Sequence, residues 1–263
     1  MLKLMYITNS PEVASIADGA GVDRIFIDLE QYGKEKRQKN WDSVKSKHSI
    51  SDIPKVKSAV KNAQIFVRTD PIFDGFSDEL EGVLACEPDV VMLPYFKTVR
   101  EVETFIKAVD GRATTSLLLE TREAAEQIDD IISVGGIDEI HIGLNDLSHS
   151  YGKKFLFEEL ADGTVDRLVE RFKADGIKNY GFGGIASLGS GLLPAEMIIP
   201  EHYRLELRDT FPRILRCIKG RRYRRDTPHL RQGCERNTRL RKKVRRHERT
   251  GAFGKFRGSQ TAR

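Results

Sequence analysis

Short apolar runs recur along the first 205 residues of the chain and alternate with longer stretches in which apolar residues return at helical spacing. The runs are almost continuously apolar, which is the pattern of parallel strands buried on both faces. Seven are found, at residues 2–7, 24–29, 64–69, 89–93, 115–119, 138–142 and 180–186. Helix signals stand between them, such as Ser10-Pro11-Glu12, an N-cap followed by a first-turn proline and an early acid.

This alternation predicts an α/β fold with a parallel sheet, and two architectures fit it: an open doubly wound sheet and a (β/α)8 TIM barrel. The barrel is favoured because charged residues follow four different strands, as in barrel active sites: Glu30, Arg68, Glu120 and Asp146. A nucleotide-binding sheet would place glycines after its first strand, and residues 9–15 contain none. No apolar run marks an eighth strand after Tyr203. We therefore predict a TIM barrel that lacks its proper eighth strand and helix.

Residues 114–148 form a strand, a helix and a second strand, and an acid follows each strand. Two parallel strands joined in this way end on the same edge of a sheet, so Glu120 and Asp146 should converge. Carboxylates suit hard divalent cations, and we predict that this pair binds Mg²⁺ or Mn²⁺. Two local alternatives stay open. Glu120 could cap the helix that begins after it, and Asp146 could form an Asx turn.

Arg68 and Glu30 are predicted to lie on the same edge. A 2-oxo acid can chelate a metal through its carboxylate and keto oxygen, and breaking the adjacent carbon–carbon bond passes through an enolate. We predict that Arg68 binds the substrate and stabilises this charge, while Glu30 orients Arg68 or a metal-bound water. Gly183 and Gly184 would let backbone N–H groups approach a substrate carboxylate. The alternatives are a salt bridge between Arg68 and Glu30, and tight packing at the glycines. His141 is expected to be a core residue.

Composition separates the chain into two parts. No apolar run approaches the roughly 18 residues of a membrane span. The first residues lack signal-peptide flanks, and the three cysteines show neither metal-ligand nor disulfide spacing. We therefore expect a cytoplasmic protein without membrane contact. Of 44 Lys+Arg, 21 lie from Arg204 onward, together with only 5 of the 39 Asp+Glu. We predict a barrel domain over residues 1–205 and a basic, disordered tail over residues 206–263.

Five motifs connect the chain to a known family. In order, they are IDLE, FVRTDP, VVMLP, LLLET and HIGLNDLS, and together they resemble the HpcH/HpaI aldolase and citrate lyase β-subunit superfamily. The resemblance implies a phosphoenolpyruvate/pyruvate-type TIM barrel and a metal-dependent carbon–carbon lyase acting on a 2-oxo acid or a CoA thioester. It also implies that Glu120 and Asp146 are the metal ligands, Arg68 the enolate-stabilising arginine and Glu30 the acid after strand two. A homo-oligomer is implied as well.

One position departs from that pattern. Pyruvate aldolases of this family commonly place a histidine directly after the acid of strand two, where it serves as a base together with metal-bound water. This chain has Gln31 there. The difference favours the citrate-lyase-like branch or a separate subgroup over a pyruvate aldolase, and it leaves the substrate open.

The basic tail has three interpretations. It could be an arginine-rich arm that binds nucleic acid through its phosphates, a solvated tail without a partner, or the product of a reading-frame shift near Leu205. Read one nucleotide on with permitted codons, residues 218–243 can become an acidic, helix-compatible sequence like the rest of the chain. We therefore predict a frame shift, with nucleic acid bound only non-specifically, and with impaired barrel closure, activity and oligomer assembly. Sequencing the gene around the codon of Leu205 tests this; an unbroken frame shared by independent isolates would contradict it.

Overall fold

Strands and helices alternate along the whole of the described chain. The computed structural model describes residues 3–32, 47–185, 195–206 and 209–212, and all structural statements below concern these residues. The strands are β1 (Lys3–Ile7), β2 (Arg24–Asp28), β3 (Gln64–Arg68), β4 (Val90–Leu93), β5 (Thr114–Leu119), β6 (Glu139–Ile142), β7 (Asn179–Ile185) and β8 (Asp209–Pro212). The helices are α1 (Pro11–Gly19), α2 (Asp52–Lys57), α3 (Phe76–Leu84), α4 (Val99–Val109), α5 (Arg122–Glu126), α6 (Ile128–Ser133), α7 (Leu144–Ser150), α8 (Glu158–Ala161), α9 (Thr164–Ala174) and α10 (Ala195–Arg204).

The eight strands form a closed barrel in which every neighbouring pair is parallel. Strand β8 pairs with both β7 and β1 and so closes the ring. The TIM barrel is therefore confirmed over the open sheet. Each of the seven predicted strands is present, with ends that differ by no more than one residue from the prediction. The register sets Arg68 directly beside Asp28, which matters for the site described below.

The eighth strand requires a correction. A four-residue strand, β8, lies where the sequence analysis expected the strand to be missing, and it pairs through Asp209 and Thr210 with β1. Parallel pairing needs only backbone N–H and C=O groups, so a segment without an apolar run can still fill the gap. The expectation of a missing strand is wrong in this respect. The helix that would follow β8 falls beyond residue 212, outside the described residues, so its absence stays a prediction.

Strand β8 also uses residues 209–212 of the segment that the sequence analysis assigns to the tail. Residues 213–263 lie outside the described residues. The division at residue 205, the disorder of the tail and the frame shift therefore stay predictions.

Two apolar cores lie on the two faces of the barrel wall. Successive side chains of a strand point to opposite faces, so alternate residues enter the barrel or face the helices. The interior core consists of six buried side chains: Met5, Phe26, Phe66, Val90, Met92 and Leu118. Phe26 and Phe66 meet edge to face, with 5.0 Å between their ring centroids. The larger core lies between the strands and the helices and contains the alternate strand positions, such as Ile25, Val67 and Leu117.

A buried ion pair fills the barrel at the amino ends of the strands. Arg24 donates through Nη1 and Nη2 to the two carboxylate oxygens of Glu139, each at 2.6 Å. Arg24 Nε also donates to Gln64 at 3.0 Å, and Lys3 Nζ lies 3.4 Å from Glu139. Arg24 and Glu139 are 2% and 3% exposed. Because the amino end of a TIM barrel serves stability, this pair supports the fold, and the chemistry is expected at the opposite end.

Helix ends agree with the signals in the sequence. Ser10 caps α1 by accepting a hydrogen bond from the N–H of Val13, and Pro11 opens the helix. Thr98 and Glu101 form a capping box at α4, which ends at Asp110 in the left-handed conformation. Among the described helices, none is both long and apolar enough to cross a bilayer.

Candidate active site

The carboxyl ends of the strands surround a cavity of about 180 Å³. Its floor is the top of the interior apolar core, formed by Phe26, Met92 and Leu118. Its polar walls come from β3 and from the segments that end β5 and β6: Arg68, Glu120, His141, Asn145 and Asp146. TIM-barrel active sites are built at this end, from residues of several strands. The cavity is therefore the candidate active site.

Glu120 follows directly after β5 and is 4% exposed. Its Oε1 accepts a hydrogen bond from the backbone N–H of Tyr95 at 3.1 Å, which fixes the carboxylate against the loop after β4. The sequence left open that Glu120 caps the following helix. That alternative is wrong, because Thr121 is the N-cap of α5 and its hydroxyl accepts from the N–H of Ala124. Glu120 lines the cavity instead.

Gly143 makes room for this carboxylate. It directly follows β6, and its backbone N–H donates to the carbonyl of Leu119 at 2.9 Å. A Cβ at this position would lie 2.7 Å from both Cβ and Oε2 of Glu120. A Cβ atom does not come this close to a carbon or oxygen atom to which it is not bonded, so an atom would have to shift. The absence of a side chain at residue 143 is therefore part of the site.

Asp146 reaches the cavity from the first turn of α7, the helix that follows β6. It is half-buried. A carboxylate is favourable in the first turn of a helix because the unpaired N–H groups there carry partial positive charge. The predicted convergence of Glu120 and Asp146 is thus observed in the fold, since both line one cavity.

Arg68 ends β3 and is held by two carboxylates. Its Nε and Nη2 donate to the two oxygens of Asp28, each at 2.9 Å. Nη2 also lies 3.1 Å from Oε2 of Glu30. Burial alone would lower the pKa of Arg68, but the charges of Asp28, Glu30 and Glu120 raise it above its ordinary value. The guanidinium is therefore a fixed positive charge in the wall of the cavity. The predicted Arg68–Glu30 salt bridge is present.

The sequence analysis missed Asp28, the main partner of Arg68. Asp28 is 2% exposed and lies within the apolar run of β2. A charged side chain in such a run is costly unless it is paired, which is the signal that could have identified it. His48 was also missed as a support of the site. Its Nδ1 accepts from the backbone N–H of Asp28 at 3.0 Å.

The two predicted glycines differ in position. Gly183 lines the cavity. Gly184 lies where the pairing of β7 with β8 shifts register, between Gly183 and Ile185. The role of both in binding a carboxylate stays a prediction.

His141 lines the cavity and is not merely part of the core, as had been expected. It is 3% exposed and lies in the middle of β6. Burial, together with the neighbouring His202, Arg24 and Arg68, lowers its pKa well below the usual value. The ring is therefore uncharged at neutral pH.

The donor set fits a hard divalent cation. Glu120 and Asp146 are the carboxylates that line the cavity. Within the described ranges there is no cluster of three or more His, Cys, Asp or Glu side chains suited to a metal. Mg²⁺ is commonly held by one or two carboxylates and keeps its other positions for water and substrate. The residues present therefore fit Mg²⁺ or Mn²⁺.

The fold and this site define a TIM-barrel protein with an arginine and two carboxylates at the carboxyl ends of its strands. The chain belongs to the HpcH/HpaI aldolase/citrate lyase family, whose sequence profile matches residues 3–181. None of the curated proteins compared with the chain matches it.

Solved structures with the same fold include members of this family. An HpcH/HpaI aldolase/citrate lyase family protein from Burkholderia cenocepacia J2315 superposes with a TM-score of 0.65 at 12% identity, covering 91% of this chain and 95% of that one. An HpcH/HpaI aldolase from Desulfitobacterium hafniense DCB-2 gives 0.61 at 15% identity, covering 80% and 85%. The citrate lyase β subunit from M. tuberculosis, complexed with oxaloacetate and magnesium, gives 0.55 at 15% identity, covering 89% and 96%. At these identities the likeness concerns the fold.

Proposed function

We propose that the chain is a divalent-metal-dependent carbon–carbon lyase that acts on a small 2-oxo acid through an enolate. The observation that supports this most is the meeting of Arg68, Glu120 and Asp146 around one cavity. They follow three different strands, and neither a helix cap nor a local turn requires them to converge. The family supplies the class of reaction, since aldolases and citrate lyases act on carbon–carbon bonds beside a carbonyl group.

Arg68 would stabilise the charge that develops in this reaction. Cleavage of the bond between the carbons α and β to the keto group of the 2-oxo acid releases the β carbon as the carbonyl product. The electron pair of that bond stays on the α carbon and is delocalised onto the keto oxygen as an enolate. Asp28 holds Arg68 through Nε and Nη2, and Glu30 lies 3.1 Å from Nη2, so the guanidinium is fixed in the cavity wall. A fixed donor with a permanent charge stabilises an enolate oxygen without reorganising during the reaction.

Glu120 and Asp146 would hold the cation. When bound there, Mg²⁺ or Mn²⁺ would polarise the keto oxygen of the substrate as a Lewis acid. The backbone N–H of Tyr95 orients Glu120 by donating a hydrogen bond to Oε1, at 3.1 Å. The structural likeness to a citrate lyase β subunit complexed with oxaloacetate and magnesium supports this assignment. Gly183 would leave space for the substrate carboxylate beside the backbone of β7.

The size of the cavity favours a small acid. Its volume of about 180 Å³ suits a 2-oxo acid close to pyruvate or oxaloacetate in size. A CoA thioester could place only its acyl end inside, so this alternative requires most of the ligand to lie outside the cavity. The substrate panel described below separates the two.

A lyase assay with Mg²⁺ or Mn²⁺ over 2-oxo acids, aldehydes and CoA thioesters tests the proposal. We expect metal-dependent turnover that is lost on chelation with EDTA. Glu120→Gln and Asp146→Asn should abolish it, because each removes a charged ligand while keeping the shape of the side chain. Arg68→Lys should lower turnover strongly, since lysine cannot make the two-nitrogen contact with Asp28.

Glu123→Gln is the matched control. Glu123 lies one turn after Glu120 on the first turn of α5, where it is exposed and paired with Lys97 at 3.0 Å. This variant should keep full turnover. If Glu120→Gln and Asp146→Asn also keep it, the assigned ligands are wrong.

The two alternatives from the sequence stay predictions. Nucleic-acid binding by the tail and loss of activity through the altered carboxyl end both concern residues 213–263, which lie outside the described part of the chain. Running the assay on this chain and on a frame-restored chain would separate an active lyase from an impaired one.

A further inference from the structure

One carboxylate outside the cavity joins the two segments that carry Glu30 and Arg68. Oδ1 of Asp70 accepts hydrogen bonds from the backbone N–H groups of Gln31 and Tyr32, at 2.6 and 2.7 Å. Gln31 directly follows Glu30, and Asp70 lies two residues after Arg68. Charged acceptors make short, strong hydrogen bonds of this kind. These two hydrogen bonds, which we call the Asp70 clamp, therefore hold the segment after β2 against the segment after β3, just beyond the site.

The backbone of Asp70 is itself held by two hydrogen bonds. Its backbone N–H donates to Oε1 of Glu79, on α3, at 3.1 Å. Its carbonyl accepts from the hydroxyl of Thr69 at 3.0 Å, and the same hydroxyl lies 3.2 Å from the carbonyl of Met92 on β4. Asp70 thus belongs to the rigid framework of the barrel. The segment of Gln31 and Tyr32 has no strand or helix of its own.

A ring contact strengthens the same connection. Tyr32 stacks on Phe73, with 5.0 Å between the ring centroids and 22° between the ring planes. Phe73 lies in the loop that follows Asp70. A carboxylate and an aromatic ring from one loop therefore both hold the segment that follows Glu30.

We propose that Asp70 is a positioning residue that sets Glu30 against Arg68, and this inference rests on the function proposed above. Asp28 lies within β2, so the strand ladder fixes it. Glu30 lies beyond the strand, and its contact of 3.1 Å with Arg68 depends on where the following residues are held. The backbone N–H of Glu30 donates to Oδ1 of Asp28 at 3.3 Å, which holds Glu30 from one side. Without the two hydrogen bonds to Asp70, Glu30 would be held from that side but not from the residues that follow it, and its contact with Arg68 would loosen. The guanidinium would then lose its second constraint.

The expected effect is a partial loss of catalysis. Removing a partner that orients an active-site group typically lowers activity by roughly 10–100-fold. Asp70→Ala should lower kcat by about this factor and leave KM nearly unchanged, because Asp70 does not line the cavity. Asp70→Asn keeps an oxygen acceptor at Oδ1, so it should restore most of the activity.

The closing experiment compares Asp70→Ala and Asp70→Asn with Asp74→Ala, which removes an exposed carboxylate from the same loop. For each variant we would measure kcat and KM, the amide hydrogen exchange of Gln31 and Tyr32 by NMR, and Mn²⁺ binding. Asp70→Ala should accelerate exchange at both amides, while Asp70→Asn and Asp74→Ala should not. Mn²⁺ binding should be unchanged in all three, since Glu120 and Asp146 are untouched.

Two results would overturn the inference. One is that Asp70→Ala keeps the slow exchange of both amides or the parental kcat. The other is that Asp70→Asn is as damaging as Asp70→Ala, which would make the acceptor oxygen irrelevant. If the parent protein lacks lyase activity, the proposed function fails, and the amide exchange still decides whether Asp70 forms the clamp.

Discussion

Replacing Gly143 by alanine tests whether Glu120 must occupy its observed position. The φ of Gly143 is −85°, so alanine is compatible with the backbone, and any effect comes from contacts. The added Cβ would lie 2.7 Å from Cβ and Oε2 of Glu120 and 3.3 Å from Cδ1 of Leu118. Cβ of Glu120 is tied to the backbone of the barrel wall and cannot simply swing away. Either the wall or the carboxylate must shift.

The cost follows from this overlap. Inserting a methyl group into a well-packed interior typically costs about 1–3 kcal/mol. If the carboxylate moves to relieve the overlap, this cost appears in metal binding. A change of ~1.4 kcal/mol alters an affinity tenfold, so Mn²⁺ should bind about 10–100-fold more weakly. Turnover should fall in parallel.

Isothermal titration with Mn²⁺, together with urea unfolding, measures both effects. Gly19→Ala is the matched control, because a Cβ there meets no atom within 4 Å and the residue lies at the end of α1, far from the cavity. It should change neither property appreciably. If Gly143→Ala binds Mn²⁺ as tightly as the parent protein and is equally stable in urea, neither the wall nor the carboxylate has shifted, and the described contact between residue 143 and Glu120 is wrong.

Two further predictions concern stability. Arg24→Met removes the two-nitrogen partner of the buried Glu139 and leaves it Lys3, at 3.4 Å, among the described residues. The variant should be destabilised by about 3 kcal/mol in urea unfolding, and a loss below ~1 kcal/mol would show that the pair is not needed. Burial raises the pKa of Glu79 to about 7, so its contribution to stability is present below the unfolded value near 4.5 and is lost as the pH rises through 7. Glu79→Gln should therefore be more stable than the parent above pH 7, by ~1–2 kcal/mol after allowing for solvent screening of this half-buried group, and the two proteins should differ less at pH 5. An equal difference at pH 5 and pH 8 would contradict this assignment.

The sequence was sufficient for the barrel and for the residues that end its strands. Apolar runs mark β1 to β7 because parallel strands are covered on both faces. The ends of parallel strands must meet on one edge, so Glu120, Asp146 and Arg68 could be placed together before the fold was known. Gly183, which was also predicted for the site, lines the cavity. Gly184 lies at the neighbouring shift of register between β7 and β8.

The parts that could not be predicted depend on partners distant in the chain. Asp28 lies within the apolar run of β2, which indicates that it is paired, but its partner Arg68 is known only from the register with β3. Asp70 clamps residues 38 and 39 positions earlier, a separation that local patterns do not encode. His141 had the pattern of a core residue, and only the closed barrel exposes its ring to the cavity.

Strand β8 was missed for a different reason. Its residues carry no apolar run, and a strand of four residues can pair through its backbone alone. Periodicity records which side chains are buried, and it gives no signal for a segment that only completes a ladder.

Electron paramagnetic resonance of Mn²⁺ tests the central claim most directly, because it detects the bound cation independently of any substrate. The parent protein should bind one Mn²⁺ ion, and Glu123→Gln should bind it equally well. Glu120→Gln and Asp146→Asn should each abolish this binding. If both variants bind Mn²⁺ as the parent does, the cavity between β3, β5 and β6 is not a metal site, and the proposed lyase mechanism fails with it.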